Sequence, residues 1–158
     1  MQTRGERIRV GVADMAVTDE PRLIVTSGLG SCVAVAIHDG DGIGGLLHAM
    51  LPTVPAADEP TPKYVDSGIE LLTAELAALG AGPEELTAKL TGGSSMLDIG
   101  SDEPIGDTNV SAARTALTEA GIDLAAEETG GSSGRSVSFH PATGALTIER
   151  VDAETTVL

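Results

Sequence analysis

The feature that most constrains this chain is an Asp-Gly turn set between two apolar runs. Val33 to Ile37 alternate large and small residues, Asp39-Gly40-Asp41-Gly42 follows, and Ile43 to Leu47 resumes the apolar run. Two such runs around such a turn predict a β-hairpin. With residue 40 as the centre of the turn, Ile37 pairs with Ile43, Val35 with Gly45, and Cys32 with His48. Directly opposed residues of an antiparallel pair share a face, with Cβ atoms roughly 4.5–5.5 Å apart. That register sets the only cysteine beside one of the three histidines. Their face also carries Ala34, Ala36, Gly44 and Leu46, mostly small, which leaves room for a covering layer or a substrate chain.

A thiol beside an imidazole is equipped for nucleophilic catalysis: the thiolate attacks, and the histidine lowers the thiol pKa and shuttles the proton. The Gly-rich turn Gly28-Leu29-Gly30-Ser31 precedes Cys32, so backbone N–H groups at Gly30 and Ser31 can face a developing oxyanion. A second Gly/Ser turn, Gly92-Gly93-Ser94-Ser95, follows the alternating run Leu86, Ala88, Leu90. It is a further anion-binding candidate, close to the active site. No lysine follows it, so it is not a nucleotide loop. The competing reading is plain. A lone cysteine is ordinarily an inert buried side chain, and a lone histidine at a strand end is ordinarily structural. Joint placement across one hairpin moves the reading toward catalysis. His38 and His140 have no partner at metal-ligand spacing, so no metal site is read.

The remaining chain reads as one domain of 158 residues. Ile8, Val10 and Val12 alternate in a strand over 7–12, and Arg22 to Val25 form a short strand ending at Thr26. Residues 51–62 carry four prolines and read as a loop with little order of its own, either a plain connection or a lid or receptor-binding edge leaving from His48. A helix is predicted over 62–79, with Thr61 as cap, Pro62 in the first turn and Gly80 as stop. Asp107 or Thr108 caps a second helix with Val110, Ala113, Leu117 and Ala120 inward. Ser101 to Pro104 is loop, Ile122 to Glu127 a strand, and Thr129 to Gly134 a flexible turn. Residues 137–151 form a second hairpin around Pro141 to Gly144. About eight strands and two helices without strict alternation predict an α/β (α+β) fold, a mixed β-sheet sandwich flanked by helices.

Several segments resemble the CheD family of chemoreceptor glutamine deamidases. They are TSGLGSCVAVAIHD, GGLLHAMLP, KYVDSGIELL, AKLTGGSSML, IGDTNV, GIDLAAEETGG and GRSVSFHPATGALTIERV. The resemblance implies that Cys32 is the catalytic cysteine, His48 the catalytic histidine and Thr26 the third active-site member. It implies a fold like that of the cytotoxic-necrotizing-factor deamidases, and a reaction that needs no cofactor. The implied substrates are glutamines of the cytoplasmic domain of methyl-accepting chemotaxis receptors. Some family members also act on glutamate methyl esters, and the family binds the phosphatase CheC, which makes an adaptor role the alternative. The likeness departs at Thr108, where a basic residue is usual, and at Ser94, where Ala is usual.

Charge excludes two partner classes. Lys and Arg total 9 against 24 Asp and Glu, a formal net charge of -15. Nucleic acids and anionic membranes both require a positive footprint. One cysteine rules out an internal disulfide and fits a reducing compartment. The start of the chain has no apolar signal-peptide core, and no run reaches the roughly 20 residues of a membrane span; the expectation is a cytoplasmic protein. The dispersed acid fits either ordinary solubility or adaptation to high salt, and the near absence of lysine favours the second. The thermal midpoint is therefore expected to rise with KCl between about 0.1 M and about 1 M, where the Debye length falls from about 10 Å to about 3 Å. A midpoint independent of salt in a melting series contradicts the high-salt reading.

Overall fold

The computed structural model describes residues 6–95, 104–151 and 153–158. The first five residues, Met96 at the end of the GGSSM segment and loop residues 101–103 lie outside the described part. Among the described residues, ten strands form two five-stranded sheets. In chain order the strands are β1 (Ile8–Arg9), β2 (Asp14–Thr18), β3 (Ile24–Leu29), β4 (Val33–His38), β5 (Gly44–Ala49), β6 (Thr87–Gly92), β7 (Asp123–Thr129), β8 (Arg135–His140), β9 (Ala145–Arg150) and β10 (Thr156–Val157). One sheet runs β1-β3-β8-β9-β10 and the other β2-β5-β4-β6-β7. Each is mixed, through the parallel pairs β1–β3 and β6–β7. Helices α1 (Val65–Leu79) and α2 (Ile105–Ala120) complete an α+β sandwich.

The pleat of β4 and β5 explains the layering. Val33, Val35 and Ile37, with Leu47 and Ala49 of β5, pack against Ile69, Leu72 and Leu76 of α1 and Val110, Ala113 and Leu117 of α2. Ala34, Ala36 and Leu46 point the other way, onto Ile24, Val137, Phe139, Leu146 and Ile148 of the first sheet. Strands alternate their side chains between faces. The large residues therefore fill the space under the helices, and the small ones let the two sheets approach.

The hairpin forms, but its register differs from the one read from the turn. Ile37 pairs with Gly45, Ala36 with Leu46 and Ala34 with His48. Asp39 Oδ1 accepts from the N–H of Asp41 at 2.8 Å and of Ile43 at 3.0 Å, and the Asp39 N–H donates to the Ile43 carbonyl. Ile43 thus closes the turn instead of opening the strand, and the centre moves to residue 41. The shift is by two residues along the partner, so every side chain keeps its face. Cys32 leaves the position opposite His48 and sits one diagonal step away, just before β4.

Other boundaries moved for local reasons. Helix α1 starts at Val65, not 62, with Tyr64 at its N-cap. The Lys63 carbonyl accepts from the N–H groups of Met50 and Leu51, and the Val65 N–H donates to the Leu51 carbonyl, so residues 63–65 pair with the two residues that follow β5. The 51–62 segment is tied down as well: Asp58 accepts from the Tyr64 hydroxyl at 2.6 Å, and Asp66 accepts from the Val54 N–H at 3.0 Å. Helix α2 begins at Ile105 after Pro104, so Asp107 and Thr108 lie within its first turn and cap nothing; Ala120 is exposed, and Asn109 joins the inward stripe. The strand read over 7–12 contracts to Ile8–Arg9, while β2 and β10 were not expected from the sequence. The turn after β7 is braced: Arg135 bonds Glu128 at 2.8 Å and the Gly130 carbonyl at 2.8 Å. That guanidinium holds the Glu128 carboxyl below the usual carboxylate range.

Candidate active site

His48 is the polar side chain that the pleat turns into the space between the sheets, and it is fully buried. Its Nδ1 lies 2.7 Å from Thr26 Oγ1 on β3, so the contact joins the two sheets. Thr26 is 6% exposed, and its hydroxyl donates to the Val10 carbonyl at 2.7 Å. A hydroxyl has one proton and a carbonyl can only accept. The proton goes to Val10, so Thr26 must accept from the ring and His48 must carry its neutral-state proton on Nδ1. Nε2 is left with a lone pair. It is buried and has no hydrogen-bond partner among the described residues. An imidazole held in this tautomer is a base aimed by its hydroxyl partner.

Cys32 is half-buried and packs at the edge of the same inter-sheet core. It shares the His48 face, although it makes no hydrogen bond to Nε2 in this arrangement. Burial pushes its thiol above the ordinary value, and its own backbone N–H, directed at the sulfur, pulls the other way. Burial likewise lowers His48, because the imidazolium would be poorly solvated. The resting pair is therefore a neutral thiol and a neutral imidazole.

The two Gly/Ser turns come together, with roles that differ from those read in the sequence. The Gly93 N–H donates to the Cys32 carbonyl at 2.8 Å, and the Ser94 N–H and hydroxyl donate to the Gly30 carbonyl at 2.9 and 2.8 Å. These donors are committed to the cysteine loop, so Gly93 and Ser94 act as a brace for it and do not offer their N–H groups to an anion. Gly92 lies against the Cys32 carbonyl with a positive φ of 105°, a place a side chain would not fit. The Ser31 carbonyl is held by Asn109, at 2.9 Å. In trans peptides the N–H points opposite to the carbonyl, and the described peptides include no cis bond. The Gly30 N–H, read in the sequence as a donor to an oxyanion, instead donates to the Gly28 carbonyl at 3.1 Å. With the Gly30 carbonyl turned to Ser94 and the Ser31 carbonyl to Asn109, the N–H groups of Ser31 and Cys32 point away from those partners. Asn109 was missed as a site residue. Its signals were its place in the IGDTNV segment and a polar residue one position before the apolar stripe that starts at Val110, which pattern reading alone assigns to the surface.

Among the described residues no group of three or more His, Cys, Asp or Glu is placed to hold a metal ion. No described helix is long and apolar enough to cross a membrane.

A family model described as CheD chemotactic sensory transduction matches residues 50–150. Thr26, Cys32 and His48 precede that span. A Natronomonas pharaonis protein named "Probable chemoreceptor glutamine deamidase CheD" is 45% identical, over 97% of this chain and 93% of its own. A Haloarcula marismortui protein of the same name is 39% identical, over 99% of this chain and 92% of its own. A Methanosarcina acetivorans protein named "Probable chemoreceptor glutamine deamidase CheD 1" is 45% identical, over 90% of this chain and 91% of its own.

Nitrogen-detected NMR at neutral pH is expected to show His48 protonated on Nδ1; an Nε2–H tautomer contradicts the geometry. Replacing Thr26 with Val removes the acceptor, is expected to destabilise the fold by about 1–3 kcal/mol, and releases the tautomer. The His48 ionisation is expected below the ordinary 6.5. Above that pH both folded and unfolded histidine are neutral; below it the unfolded chain takes the proton first, so stability falls with acid. His48→Gln is expected to remove that share of the loss in denaturant titrations at several pH values.

Proposed function

We propose that this chain, which belongs to the CheD family, hydrolyses the side-chain amide of glutamines in chemotaxis receptors, with Cys32 as nucleophile. The observation that carries the reading is the His48 tautomer: a buried imidazole fixed by Thr26, with a free Nε2 lone pair on the face it shares with the only thiol. In this scheme Nε2 takes the Cys32 proton as sulfur attacks the carboxamide carbon. Catalytic hydrogen bonds that are long in the free enzyme tighten when substrate binds. The oxyanion meets the N–H groups of Ser31 and Cys32. The imidazolium then returns its proton to the departing nitrogen, which leaves as ammonia. Water, deprotonated by Nε2, splits the thioester. Glutamine and water become glutamate and ammonia, and Cys32 is restored as a thiol. The whole chain, 1–158, acts as one deamidase domain in the cytoplasm and needs no cofactor.

The name of the relatives supports the substrate class: those proteins are named for chemoreceptor glutamine. The same thioester route accepts a glutamate methyl ester, which makes receptor methylesterase activity a finer part of this proposal. Binding to a CheC phosphatase is the other, and it does not require Cys32 chemistry.

The test is mass spectrometry of a receptor cytoplasmic domain incubated at high salt with wild type, Cys32→Ala and His48→Gln, with released ammonia assayed alongside. Wild type is expected to convert glutamine to glutamate. Cys32→Ala should give none, and His48→Gln a rate lower by roughly 10²–10⁴-fold. Conversion that survives Cys32→Ala overturns the mechanism. No conversion by folded wild type on an authentic receptor overturns the function and moves the reading to the CheC-binding adaptor.

A further inference from the structure

We propose that Asn109 is the positioning residue that sets the separation between Cys32 and His48; this rests on the reading of that pair as nucleophile and base. Asn109 lies near the start of α2 and is fully buried. Its Nδ2 donates to the Ser31 carbonyl at 2.9 Å and to the Met50 carbonyl at 2.9 Å. Ser31 immediately precedes Cys32, and Met50 follows His48 by two residues. One rigid amide therefore spans the two segments that carry the reacting groups. Both acceptors are carbonyls, so the nitrogen, not the oxygen, must occupy this position.

The bridge sits where the sheet stops doing the same work. The last pair of the β4–β5 ladder is Val33 with Ala49. One step further on, Cys32 and Met50 have no ladder pairing to fix their spacing. Gly93 and Ser94 clamp the cysteine loop to β6, but they do not reach the β5 side. Asn109 does. Helix α2 comes near enough because Gly106 packs against the backbone of the brace, where an added Cβ would lie 2.5 Å from the Gly93 carbonyl oxygen and 2.6 Å from that of Ser94. The helix thus meets the brace at Gly106 and reaches the cysteine loop and the hairpin end through Asn109. Small misplacements of a reacting pair are costly: about 1 Å can lose on the order of 10²-fold in rate.

Because Cys32 is the only thiol, iodoacetamide alkylation reports on it alone and needs no receptor. The experiment compares the pH profile of alkylation for wild type, His48→Gln, Asn109→Ala and the near-isosteric Asn109→Leu, at high salt and with folding checked by thermal melting. Receptor deamidation is measured on the same proteins. Wild type should show a limb at lower pH that His48→Gln abolishes. Either folded Asn109 variant should lose that limb with His48 still present, and kcat should fall by roughly 10²-fold with KM nearly unchanged. A variant that melts lower but keeps the wild-type alkylation profile overturns the proposal and makes Asn109 a structural residue only. If neither variant folds, exchange of the wild-type Asn109 side-chain amide protons decides. Protection like that of neighbouring strand amides supports the bridge, and exchange as fast as an exposed amide overturns it. Failure of receptor deamidation by wild type would leave the alkylation profiles unaffected, so the two readings fail separately.

Discussion

Both faces of one hairpin are buried, and the site follows from that constraint. A strand covered on two sides cannot place a polar side chain without giving it a partner inside the protein. In β4 and β5 the large residues go to the helices and the alanines go to the opposite sheet, and His48 is carried into that second layer. Its ring nitrogen is satisfied by Thr26 from the facing sheet. That bond, with the Thr26 hydroxyl proton committed to the Val10 carbonyl, chooses the tautomer and leaves the Nε2 lone pair without a partner among the described residues. Packing and proton chemistry are here one arrangement.

Much of this was legible in the chain. The alternation of Val33 to Ile37 against Leu46 and His48 gave the correct faces, because a pleat has a period of two and the actual register differs by an even step. The direct pairing of Cys32 with His48 read from the turn does not form, and their diagonal placement was not legible. It depended on whether Ile43 belongs to the turn or the strand, and the Asp39 carboxylate decides that through two backbone bonds. Thr26 came from family resemblance, and a contact between strands of different sheets leaves no periodic trace. Asn109 was invisible for another reason: its partners, Ser31 and Met50, are 78 and 59 residues away in sequence. The start of α1 was misread because the Lys63 carbonyl is taken up by the N–H groups of Met50 and Leu51, which no cap signal at Thr61 reports.

The charge pattern gains a structural meaning. Of the few basic residues, Arg135 and Arg150 converge on Glu128, Arg114 pairs with Glu127, and Lys89 donates to the Gly144 and Leu158 carbonyls. The Arg135–Glu128 contact joins β8 to β7, hence one sheet to the other. Four of the nine basic residues thus tie elements of the fold together. Two of the similar proteins come from halophilic archaea, in keeping with a fold that relies on solvent ions to mute its own repulsion.

Covalent catalysis through a thioester on Cys32 and direct attack of water on the amide are separated by adding hydroxylamine during receptor turnover. A nucleophile that competes with water for a thioester should yield the glutamyl hydroxamate at the modified positions, alongside glutamate, from wild type and not from Cys32→Ala. Glutamate without any hydroxamate, across rising hydroxylamine and with turnover intact, would mean that water attacks the amide directly and would contradict the account.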